Sequence, residues 1–134
     1  MREILFKAKR ADNGEWVTGY YIKSIVDCSV FGYIRESIFG TDIKIMLNTL
    51  CQYTGLKDKN GKLIWENDVV EIIEHEYTVN GLYKVIYCEN SHCYALERSA
   101  DFLYNFFSFS DLNGFETSSK VIGNIFDNPE LINE

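Results

Sequence analysis

The chain has 134 residues, a formal net charge of −7, and a composition that is 46% hydrophobic, 25% charged and 15% aromatic. Such a chain can bury a core without a disulfide or metal staple, and its composition excludes disorder and low complexity. The acidic balance argues against a protein built chiefly to coat phosphate backbones, no apolar run approaches the ~20 residues of a membrane span, and no signal-peptide pattern opens the sequence. The expectation is a single domain over 1–134, mainly β with minor α, cytoplasmic and away from membranes. Charge is unevenly placed: residues 1–62 carry ten Lys/Arg and seven Asp/Glu, net +3, whereas 63–134 carry three and thirteen, net −10. Such asymmetry fits a solvated acidic edge, head-to-tail self-association, or an acidic half that docks on a basic partner.

Short alternating segments separated by Gly-containing turns recur along the chain. Ile4, Phe6 and Ala8 alternate with charged residues, Asp12-Asn13-Gly14 turns, and Trp16 to Ile22 returns, which predicts a β-hairpin. Val30 to Ile34 and Ile43 to Leu47 are each read as a strand, joined by a turn at Phe39-Gly40-Thr41-Asp42. Asn60-Gly61 predicts a type I′ turn between solvent-facing Lys59 and Lys62, with Leu63 to Trp65 as the next strand. Glu66-Asn67-Asp68 breaks that strand, and Asn67 is suited to a left-handed backbone. Further strands are expected from Val69, Leu82, Cys93 and Lys120 onward, the last reaching Phe126. In Ala100 to Phe109, Leu103, Phe106 and Phe107 recur at helical spacing and predict a short helix, although the aromatic density there suits a strand equally. Asn128-Pro129-Glu130 places a cap residue, a first-turn proline and an acid in order, which predicts a short C-terminal helical turn.

These segments carry a family resemblance. Gln52 to Val70 and Val121 to Leu131 resemble the two signatures of the YopX family, which occurs in bacteriophages and prophages. The opening Met1 to Ala8 is similar to the family's usual start, and Asp12 to Val17 with Gly19 to one subgroup of it. One departure is Asn67, where the family commonly has Gly. The resemblance implies a β-rich architecture with an N-terminal β subregion over 1–50 and an SH3-like roll or barrel over 51–134. It implies a setting in the bacterial host cell and transfers no catalytic residue. It says nothing of the stretch from Ser91 to Ser119.

Catalytic chemistry finds little purchase. Nucleophilic catalysis needs a Ser or Cys beside a positioned base, and the sequence holds two histidines, His75 and His92. Glu71, Glu74, His75 and Glu76 would suit a divalent ion or carboxylate chemistry, against the plainer reading of a charged edge that discourages aggregation. Cys88 and Cys93 bracket His92 at a spacing within the zinc-knuckle range, but Cys28 and Cys51 lie in distant, strand-like apolar settings. No catalytic residue, metal or cofactor is therefore assigned, and the protein is read as non-enzymatic. Tyr53, Lys57, Lys59 and Lys62 form a candidate aromatic–basic patch beside a turn, of the kind that stacks bases and meets phosphates. Leu103, Phe106, Phe107 and Phe109 form a candidate interface, since surplus rings collect where subunits or partners meet.

The functional expectation is an accessory binding domain that self-associates as a homo-oligomer. Its rivals are a host-directed acidic inhibitor of a basic or nucleic-acid-binding host protein, and a nucleic-acid-binding module using Lys7, Lys9, Arg10 and the Lys57–Lys62 turn, which the net charge disfavours; a phage or host protein partner is also open.

Overall fold

Alternating apolar and polar residues bounded by Gly, Asn and Asp build strands, and strands dominate the computed structural model, which describes residues 4–73, 81–90, 92–98, 105–108 and 115–131. The protein is mainly β, with antiparallel pairing throughout the described strands. It divides into two compact units, Met1–Tyr53 and Thr54–Glu134.

In the first unit, β1 (Phe6–Lys9) and β2 (Trp16–Val26) form the expected hairpin, with Phe6 opposite Gly19 and Lys9 opposite Trp16. β2 runs on into β3 (Ser29–Arg35), and β3 pairs with the short β4 (Ile43–Lys44). The first residues of β5 (Cys51–Lys57) lie along the other side of β1. A bridge between Arg10 and Ile45, with Ala11 N–H donating to Lys44 O and Met46 N–H to Lys9 O at 2.9 Å each, brings the end of β4 back to β1. The sheet thus curls around Ala8, Val17, Ile34 and Ile45, against which Phe6, Tyr21, Ile43 and Leu50 pack.

Two expectations are corrected here. The strand predicted from Ile43 to Leu47 ends at Lys44, and Leu47–Thr49 forms a 3-10 turn instead. Thr49 explains it: its hydroxyl donates to Met46 O and accepts from Lys9 N–H, so the backbone follows the side chain's local bonds. Cys28, expected in a strand, sits exposed in a two-residue turn between Val26 and Ser29. Asp27 and Cys28 both have positive φ, 48° and 66°, the signature of a type I′ hairpin turn.

In the second unit, β6 (Leu63–Trp65) follows a tight loop after β5, and the strand predicted from Val69 is β7 (Asp68–Ile72). β8 (Gly81–Cys88), β9 (Cys93–Arg98), β10 (Asn105–Ser108) and β11 (Ser119–Asn124) complete a sheet of order β10-β9-β8-β7-β11. A single helical turn, α1 (Phe115–Ser118), precedes β11. Ile64, Val70, Ile72, Tyr83, Val85, Leu96 and Val121 make the core, with Leu56 packed against it. Its pattern follows from register: Val70 lies opposite both Tyr83 and Val121, and Val85 opposite Leu96, so apolar side chains from four strands meet on one face.

The helix predicted over Ala100 to Phe109 is corrected: 105–108 is strand, paired with β9 so that Phe107 lies opposite Leu96. A neighbouring strand with unpaired backbone groups outweighs an apolar spacing that suits either structure. β11 ends at Asn124 rather than Phe126, because Asn124 Oδ1 accepts from the N–H groups of Phe126 and Asp127 and turns the chain. The short 3-10 turn Pro129–Leu131 then stands where a C-terminal helical turn is expected. Among the described residues no helix is long and apolar enough to cross a membrane.

Candidate functional site

The loop after β5 departs from the expected type I′ geometry. Gly61 alone of the Asn60-Gly61 pair has positive φ, 81°. Gly61 N–H donates to Asp58 O at 3.0 Å and Asp58 N–H to Lys62 O at 2.8 Å, which closes a three-residue hairpin loop. Its organiser is the Asp58 carboxylate, 5% exposed. Oδ1 accepts from Asn60 N–H and Lys62 N–H, and Oδ2 accepts from Val121 N–H, each at 2.9 Å. Burial works to raise the Asp58 pKa, but the backbone donors of Val121, Lys62 and Asn60 and the nearby Lys62 charge outweigh it, so the net shift is downward.

This carboxylate ties together the two signature segments. Lys59 N–H donates to Ser119 O at 3.0 Å, Asn67 N–H to Val85 O at 2.8 Å, and Ile125 N–H to Asn67 O at 3.0 Å. Asn67 holds the left-handed φ of 69° expected of it, and Asp68 Oδ2 accepts from Trp65 N–H at 2.8 Å across the same turn. At the far end Asn128 N–H donates to Asn124 O at 2.9 Å, and the Asn128 side chain lies where a Cβ on residue 123 would stand. Gly123 is therefore required for space. Backbone hydrogen bonding thus accounts for Asp58, Asn67, Asp68, Asn124 and Asn128 in these segments.

Around the clasp, Lys57, Lys59 and Lys62 are exposed, so the basic part of the predicted patch is at the surface. Tyr53 is corrected: its ring is 6% exposed and is not offered for stacking. Phe106 and Phe107 lie on β10, the end strand of the second sheet among the described residues, while Leu103 and Phe109 lie outside the described residues. Glu74, His75 and Glu76 also lie outside them, and Glu71 is half-buried on β7. Cys88 and Cys93 face each other across the β8–β9 pair, and His92 stands in the loop with φ 53°. Among the described residues no group of three or more His, Cys, Asp or Glu side chains is placed to hold a metal ion.

The outside of the first unit sets Lys7 and Lys9, named above for a nucleic-acid-binding module, beside a ring that the sequence reading did not join to them. Trp16 is flanked by two ammonium groups, with Lys7 Nζ 4.6 Å and Lys9 Nζ 5.5 Å from the ring centre. Lys44 Nζ lies 5.2 Å from the centre of the Phe31 ring. Nine of the eleven large apolar side chains that stand exposed among the described residues belong to this unit, including Tyr20, Ile25, Val26, Val30 and Phe39. Period-two alternation held the clue, since Lys7, Lys9, Trp16 and Tyr20 all fall on the positions that the core does not use.

Comparison with known proteins yields a family and a fold. A family model described as YopX protein matches residues 5–133. The crystal structure of protein EF1440 from Enterococcus faecalis is similar, with a TM-score of 0.57 and 22% identity over 99% of this chain and 100% of that one. No curated protein gives a significant match.

Proposed function

The chain belongs to the YopX family, and from that membership we propose a non-enzymatic binding domain of phage or prophage origin that acts in the bacterial cytoplasm through self-association. The observation that carries this reading is the β2–β3 ribbon. β1 accompanies β2 only as far as Gly19, and β4 accompanies β3 only at Tyr33 and Ile34. Beyond them the two strands continue together to the turn at Asp27-Cys28. Ile25 and Val30 lie directly opposite each other there, on the side of the sheet that is core elsewhere, and are 65% and 45% exposed. Gly32 lets Leu47 pack closely beside them, since a Cβ at residue 32 would collide with the Leu47 side chain. A two-stranded ribbon with an apolar face is marginal alone in water and gains by covering that face. A second copy brings the same stripe, and a two-fold arrangement lays one against the other.

Sedimentation velocity from about 1 to about 100 μM tests the reading. The native chain should dimerise within that range, and Ile25→Lys with Val30→Lys should leave a folded monomer. A native chain that stays monomeric throughout, or a double variant that still dimerises, refutes self-association through the ribbon.

A further inference from the structure

The strands β1 to β4, with β5 as far as Tyr53, contain Lys7, Lys9, Lys23, Arg35 and Lys44, and not one Asp or Glu. The unit's described acids all sit in connections: Asp12 and Glu15 after β1, Asp27 at the ribbon tip, Glu36 and Asp42 before β4. Two of these are already engaged at short range, Asp12 with Arg10 at 2.9 Å and Asp42 with Arg35 at 2.7 Å. Register then sorts the strand residues. Those next in sequence to the core positions Ala8, Val17 and Ile34, with their cross-strand partners, turn outward: Lys7 opposite Thr18, Lys9 opposite Trp16, Tyr20 opposite Arg35, and Tyr33 opposite both Ile22 and Lys44. Phe31, next along β3, lies under Lys44.

From this arrangement we propose that the outer surface of the first unit binds single-stranded nucleic acid. Single strands are held by aromatic faces that accept any base and by cations that meet the backbone between them. Here Trp16, Tyr20, Tyr33 and Phe31 alternate with Lys7, Lys9, Arg35 and Lys44 along a track that follows β2 from Trp16 to Ile22, roughly 20 Å at strand spacing. Tyr20 is 52% exposed, enough of a face for a base. The excess acid behind the net charge of −7 belongs to the second unit, residues 54–134. Aromatic faces favour a single strand over a duplex, because only unstacked bases present their own faces to them. The proposal goes beyond the self-association reading and does not rest on it, since Ile25 and Val30 lie on the opposite side of the sheet.

Fluorescence anisotropy with labelled 15-nucleotide oligo(U) and oligo(dT) tests it, on the native chain and on the Ile25→Lys/Val30→Lys variant. Binding is expected for both chains, with the preference between the two oligonucleotides telling RNA from DNA. Three to four phosphate contacts should weaken affinity about 20- to 50-fold between 50 and 200 mM salt, from a slope of roughly −0.7 per contact. Tyr20→Ala should weaken binding about tenfold at every salt concentration. Lys44→Gln should lower the slope by about 0.7, and Lys7→Gln with Lys9→Gln by about twice that. Circular dichroism melts establish that each variant is folded, and Tyr20 and Lys44 are exposed enough for truncation to spare the core. Lys57→Gln, Lys59→Gln and Lys62→Gln together should leave the affinity within about twofold. No anisotropy change at 50 mM salt overturns the proposal, as does binding that survives Tyr20→Ala and Lys44→Gln but disappears with the three loop lysines. Loss of binding confined to the Ile25→Lys/Val30→Lys chain also overturns it and moves the site to the ribbon.

Discussion

Asp58→Asn changes one atom's chemistry and almost no volume. The amide keeps one oxygen, sufficient for Asn60 and Lys62, and turns an NH2 group toward the Val121 N–H that Oδ2 now accepts at 2.9 Å. Val121 N–H then faces a donor inside a buried site, which costs about 1–3 kcal/mol, and the two remaining bonds lose their charge assistance, for a total of about 2–4 kcal/mol. That is a large share of the ~5–15 kcal/mol that stabilises a typical domain, so the variant should fold but unfold at clearly lower urea. Trp65, 7% exposed in the same unit, reports the transition in a Trp16→Phe background. The sign of the pH dependence follows from the lowered Asp58 pKa. A depressed carboxyl contributes stability that is complete above its unfolded value near 3.9 and is lost as pH falls through the folded value. Protonated Asp58 resembles the amide, so the gap between native and variant chains should be full at pH 7 and narrow below about pH 4. A gap under about 0.5 kcal/mol at pH 7, or one that persists undiminished at low pH, would refute the assignment of Asp58 as the clasp.

Cys28→Gly should stabilise the first unit by about 1 kcal/mol in urea titrations, because glycine takes the φ of 66° without the penalty a side chain carries. Gly123→Ala should destabilise the second unit by about 1–3 kcal/mol, since the added Cβ displaces Asn128 and presses on Leu131; a neutral result in the same titration would mean that the closing turn gives way freely. Asp42→Asn should shift stability by less than about 0.5 kcal/mol, because the Arg35–Asp42 pair is 38% and 39% exposed, and a larger loss would show that the pair holds the β3–β4 loop.

The strands were legible wherever alternation was long and the turn residues were conventional: the β1–β2 hairpin, Leu63 to Trp65, and the left-handed Asn67 all follow from local chemistry. Misreadings arose where a side chain overrode a backbone preference. Asn60-Gly61 carries the strongest hairpin signal in the sequence, yet Asp58 bends the loop around itself. Asp27-Cys28 carries almost none, yet the pairing of β2 with β3 leaves two residues to cross and imposes a positive φ on both. The aromatic run of residues 100–109 reads as either element, and its pairing with β9 is a tertiary fact. The sequence names Lys7 and Lys9 as candidates for nucleic acid but does not join them to Trp16 or Tyr33, because the set forms no contiguous motif. Lys7, Trp16, Tyr33 and Lys44 become neighbours only when register places them across four strands.

The clasp also dictates a timetable. Every pairing that builds the first unit lies within the first 53 residues, so that unit can close while the rest of the chain is still being made. The second cannot, because the Asp58–Val121 hydrogen bond joins residues 63 positions apart and β7 receives its second neighbour only with β11. Until translation reaches β11, Val69, Val70 and Ile72 present a sticky strand edge to the cell. The vulnerable interval is the time needed to add those last strands, and synonymous changes that slow elongation between β7 and β11 would lengthen it.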